Sequence, residues 1–113
     1  MAKWFTPAEV DGLDPKLVEK LDLAREAAGV PFIITCGLRD ADHNAEIGGA
    51  PNSAHLRGLA VDLLVVDSHT RYAVVWGLYV AGFLRIEVSN RHIHADADNS
   101  LPHPVLFLGP DLG

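Results

Sequence analysis

At 113 residues the chain has the length of one domain, and its 49% hydrophobic and 21% charged residues give it a core to bury, which excludes a disordered chain. A formal charge of −6 with no basic cluster argues against a nucleic-acid partner, and no apolar run reaches membrane-spanning length. The one cysteine, Cys36, allows neither an intramolecular disulfide nor a thiolate metal cluster, and reads as a small buried core residue.

Residues 1–12 read as an irregular arm, with Trp4 and Phe5 anchoring it to a single domain that spans 1–113. Asp14 and Pro15 open a helix as N-cap and first helical residue. Leu17, Val18, Leu21, Ala24 and Ala28 form its apolar stripe, and Gly29 ends it. Residues 31–36, with Phe32, Ile33 and Ile34 in succession, read as a buried strand. A polar stretch, 40–47, reads as a short helix capped by Asp40, and 48–53 as a loop long enough to wall a cleft.

A strand is expected over 59–66, then a helix that starts at Ser68 and runs 70–81, with Val74, Val75, Leu78 and Ala81 inward and Gly82 as its cap. Strands follow over 83–88 and 92–96, joined by the turn 89–91 as an antiparallel hairpin. After Asp96 the prolines 102, 104 and 110 leave a coil with one extended piece, 105–108. Helices and strands do not alternate strictly, so the fold class is α+β: a small, mainly antiparallel sheet with helices packed on one side.

The chemistry gathers at Ser53-Ala54-His55-Leu56-Arg57-Gly58-Leu59-Ala60-Val61-Asp62 and at His92-Ile93-His94. Gly58 permits a bend between the loop carrying His55 and the strand carrying Asp62. A carboxylate inside an apolar strand is costly unless paired or bound to a cation. His92 and His94, two apart in a strand, share a face. One carboxylate with two or three imidazoles makes a divalent zinc site with an open position.

Those residues, together with Thr35-Cys36-Gly37-Leu38-Arg39, Asn44, Gly48-Gly49 and the continuation Ala95-Asp96, resemble the zinc D-Ala-D-Ala carboxypeptidases of the M15 type, in the small murein peptidase and phage-lysin branch. The half from His55 through Glu87 to His94 also resembles the zinc-bearing signalling domain of hedgehog proteins, so the fold implied is hedgehog/DD-peptidase-like. The resemblance implies one Zn2+ per chain held by His55, Asp62 and His94. It gives His92 the part of a catalytic imidazole, with an imidazole that only orients a neighbouring ligand as the plainer role. Many such enzymes carry an acidic residue three positions before the last ligand. Here that position is Arg91, which leaves the general base open between His92 and Glu87. Arg39 matches the arginine that clamps the substrate carboxylate, and Ser53 stands as a further substrate-binding residue.

The function implied is hydrolysis of D-Ala-D-Ala or a neighbouring peptide bond in the stem peptide of peptidoglycan, by a monomer. The alternatives are a murein endopeptidase that cuts cross-links, a zinc-stabilised binding domain of hedgehog type, or a phage module that docks on the wall. The N-terminus has no signal pattern, so the expectation is synthesis in a cytoplasm and action on the cell wall, as for a phage product released at lysis. Asp96 reads as structural, Arg57 as a solvated loop charge, Trp76 as a core aromatic, and His43, His69 and His103 as surface residues.

Overall fold

The computed structural model describes residues 2–37 and 54–109, except the side chains of positions 54 and 55. The first helix, α1 (Pro15–Ala28), starts where its cap dictates: the Asp14 carboxylate accepts from the Lys16 amide at 2.8 Å. Gly29 ends it in the left-handed region at φ 70°, its N–H donating to the Arg25 carbonyl at 3.2 Å.

The second helix, α2 (Ser68–Val80), starts at Ser68 as expected, capped by Asp67, which accepts from the Thr70 amide at 2.7 Å, and it closes with Ala81 rather than Gly82 as its cap. The two helices lie backbone against backbone at Gly77, where a Cβ would collide with the Ala24 carbonyl and come within 2.8 Å of the Ala28 methyl.

Five strands form one sheet among the described residues: β1 (Ile34–Cys36), β2 (Ala60–Leu64), β3 (Arg85–Val88), β4 (His92–Asp96) and β5 (Val105–Leu108), in the order β1-β2-β4-β3-β5. All neighbours are antiparallel except β3 and β5, which are parallel. The expected hairpin is the pair β3–β4, and β4 and β5 fall where the sequence put them. Three strands are shorter than expected. Of 31–36 only Ile34–Cys36 is strand, although the Ile33 carbonyl still accepts from the Leu64 amide at 2.8 Å, and the strand is partly exposed rather than buried. The stretch 59–66 narrows to 60–64, although the Val65 amide still reaches the Arg91 carbonyl at 2.8 Å. Phe83 is not part of β3, because its amide donates back to the Leu78 carbonyl of α2 at 3.0 Å.

Both helices cover one face of the sheet. Val61, Leu63, Ile86, Ile93 and Ala95 from the strands pack in one core with Leu17, Leu21, Ala24, Val74 and Leu78. Phe5 joins this core from the N-terminal arm. Trp4 stays 42% exposed, with the Arg25 guanidinium 4.2 Å from its ring centroid, so of the expected anchor pair only Phe5 is buried.

Two further expectations are corrected. Trp76 is half exposed, not a core aromatic: it lies two residues from both Val74 and Leu78, about 200° around the helix from each. Cys36 is partly buried at the end of β1, outside the core. Among the described residues no helix is long and apolar enough to cross a membrane.

Candidate metal centre and active site

Strand alternation decides what the sheet face opposite the helices presents. On β4, Ile93 and Ala95 point into the core and are fully buried, so His92, His94 and Asp96 share the opposite face. Register then aligns the neighbours. Asp62 of β2 and Glu87 of β3 both stand directly opposite His94, one on each side. A row of carboxylate, imidazole and carboxylate therefore crosses three strands.

The ring of His94 is held at both nitrogens. Nδ1 lies 3.0 Å from Asp62 Oδ1, and Nε2 lies 2.8 Å from Asp96 Oδ2. Burial alone would push the His94 imidazolium down. The hydrogen bonds and charges of Asp62 and Asp96 outweigh burial and push its pKa up to about 9. Asp96 is itself fixed: Arg85 Nε donates to its Oδ1 at 2.9 Å, and so does the Asp98 amide at 3.1 Å. Burial would raise the Asp96 carboxyl, but His94, the Asp98 amide and Arg85 hold it below the usual carboxylate range.

Glu87 Oε1 lies 4.0 Å from His92 Nε2, just beyond hydrogen-bond reach, and both side chains remain open to solvent. These two groups approach each other on the diagonal of the β3–β4 ladder, beside His94. His69 and His103 are exposed, as expected, while His43 lies outside the described residues.

His55 belongs to a single 3-10 turn, Ala54–Arg57, that leads through Gly58 into β2. Gly58 has φ 68°, and a Cβ there would strike the Gly12 carbonyl, while its own carbonyl accepts from the Asp14 amide at 2.9 Å. The N-terminal arm thus braces the bend between the His55 turn and the Asp62 strand, and glycine alone fits it. Arg57 is not a solvated loop charge: it pairs with Asp98, whose side chain is almost wholly buried just after β4. That ion pair ties the His55 turn to the strand carrying His94. The side chain of His55, and all of Arg39 and Ser53, lie outside the described residues.

Among the described residues no three His, Cys, Asp or Glu side chains gather as a metal cluster. The described pair does suit zinc. Two ligands about 2.0–2.1 Å from one tetrahedral ion sit about 3.3 Å apart, close to the 3.0 Å between His94 Nδ1 and Asp62 Oδ1. Imidazole nitrogen and carboxylate oxygen are donors that zinc accepts, and a ligating histidine commonly gives its other N–H to a carboxylate, as His94 does to Asp96.

The family model described as Peptidase M15 matches residues 4–96. The chain belongs to the Peptidase M15 family. The match runs from the N-terminal arm to the end of β4, so it includes every strand that lines the polar face except β5. No curated protein matches the chain. M15 peptidases are generally zinc-dependent, in keeping with the donor types on this face.

Arg85 and Asp98 carry no local sequence signal, and Asp96 reads in the sequence as structural. The signal for Asp96 was present, since His92, His94 and Asp96 sit at alternate positions of one strand. Arg85 and Asp98 become visible only once the ladder pairs Arg85 with Asp96 and the chain folds Asp98 back onto Arg57.

Proposed function

We propose that this M15 peptidase is a zinc enzyme that hydrolyses D-Ala-D-Ala, or a neighbouring bond, in the stem peptide of bacterial peptidoglycan, and that it works as a monomer. The observation that carries the reading is the 3.0 Å approach of His94 Nδ1 and Asp62 Oδ1 on the sheet face opposite the helices, with Glu87 and His92 beside them. On this reading His55, Asp62 and His94 hold one zinc per chain. When bound, zinc supplies a Lewis acid that acidifies water and polarises the scissile carbonyl.

The chain's own groups do the rest. Glu87 and His92 face the same space, and one accepts the proton of the attacking water and passes it to the leaving amine. Arg39 takes the terminal carboxylate of the substrate with its two-pronged guanidinium, and Ser53 holds the substrate backbone. The retained Glu87–His92 pair favours catalysis over a zinc-stabilised binding domain, which has no use for a proton carrier.

Digestion of defined muropeptides, followed by mass spectrometry, tests the substrate. Loss of one terminal D-alanine, abolished by chelation, is the expected result. Cleavage confined to cross-links would make the protein an endopeptidase, and intact muropeptides bound regardless of chelation would make it a wall-docking module.

A further inference from the structure

His94 has two ring nitrogens and two carboxylate neighbours, and the two carboxylates are not equivalent. Asp62 sits at Nδ1 at 3.0 Å, with a partly exposed side chain. Asp96 sits at Nε2 at 2.8 Å, 2% exposed, with its other oxygen taken by Arg85 Nε and the Asp98 amide. Arg85 is in turn pinned, donating to the Pro102 carbonyl at 2.6 Å. A carboxylate so anchored cannot swing away from the ring, and it presents only acceptor oxygens.

We propose that Asp96, locked by Arg85, is the positioning residue that keeps a proton on Nε2 of His94 and so turns Nδ1 towards Asp62 as the donor atom. The inference deepens the zinc reading above and rests on it for its consequence, but the hold of Asp96 on the ring stands in the metal-free protein as well. It gives His94 a fixed orientation before any ion arrives, which an imidazole held only by packing would lack.

The test is the isosteric variant Asp96→Asn. Its carbonyl oxygen must serve Arg85 and the Asp98 amide, both donors, so its amide group is left facing Nε2. An NH2 group there demands an acceptor nitrogen, so the ring must give up its Nε2 proton and keep only the one on Nδ1, the atom needed for the metal. Long-range proton–nitrogen NMR of the His94 ring, in metal-free wild type and variant, reads this directly. In metal-free wild type near neutral pH both nitrogens should carry protons, since each faces a carboxylate, and Asp96→Asn should show Nδ1–H with bare Nε2. Zinc affinity, measured by competition with a chromogenic chelator, should fall roughly 10- to 100-fold in the variant.

A folded variant with the wild-type ring pattern and unchanged zinc affinity would overturn the proposal. Wild type that binds no zinc, yet shows the switch of ring pattern in the variant, would support the positioning role and sink the zinc reading instead. Should Asp96→Asn not fold, zinc-loaded wild type decides: a proton on Nε2 with Nδ1 coordinated supports the proposal, and the reverse overturns it.

Discussion

The two faces of the sheet are built from the same strands by opposite means. On the covered face Val61, Leu63, Ile93 and Ala95 are fully buried against the helices, and their placement needs only apolar bulk of the right volume. On the other face Asp62, His94 and Asp96 are placed by hydrogen bonds and charge, each with a direction, and Glu87 and His92 stand beside them. The covered face sets the register, because slipping β2 or β4 by one residue would bury a carboxylate or an imidazole and expose a core valine or isoleucine. The polar face inherits that register. Hydrophobic burial on one side therefore positions the polar groups on the other.

Perturbing the faces separately sharpens the contrast. The largest effect belongs to the donor pair. Asp62→Ala or His94→Ala should abolish zinc binding and turnover while leaving the apolar core intact, as read by metal analysis beside circular dichroism; full zinc occupancy in either variant would break the assignment. His92→Ala should keep its zinc and lose roughly 10²- to 10⁴-fold in turnover, the usual weight of a positioned acid–base group. Unchanged turnover there would move the proton-carrying role to Glu87.

On the covered face, Leu63→Ala should cost about 2–5 kcal/mol of stability in denaturant titration, with near-normal turnover per folded molecule. A large fall in turnover at full folding would contradict the division of labour between the faces. A smaller effect comes from pH. In the metal-free protein the His94 pKa lies at about 9, above its ordinary value of 6.5. The bonds to charged His94 thus stabilise the fold fully below about pH 6.5, and that stability is lost as pH rises towards 9. The thermal midpoint of chelated protein should fall over this window, and less so in His94→Gln. The smallest effect is expected from Arg57→Ala, which removes a half-exposed partner of Asp98 and should cost about 1 kcal/mol, a few degrees in thermal midpoint.

Much of this was legible in the sequence, for reasons that differ by element. The helix α1 announces itself through Asp14-Pro15 and Gly29, local signals that tertiary structure does not override. His92 to Asp96 reads as a strand because its apolar and polar residues alternate, and the same alternation placed His92 and His94 on one face. Trp76 was misread because an aromatic on an apolar helix looks like core until the spacing to Val74 and Leu78 is applied strictly. Arg57 was misread because its partner lies 41 residues away, beyond any local pattern. The Arg85–Asp96 lock was hidden for the same reason: it exists only through strand pairing.

Whether the polar face holds one zinc and uses it for hydrolysis is decided by restoring zinc to chelated protein while following digestion of purified peptidoglycan. Turnover should be absent without metal and should rise until it levels off at one equivalent of zinc per chain. Full turnover in the chelated protein, or no turnover at any zinc level, would contradict the zinc reading.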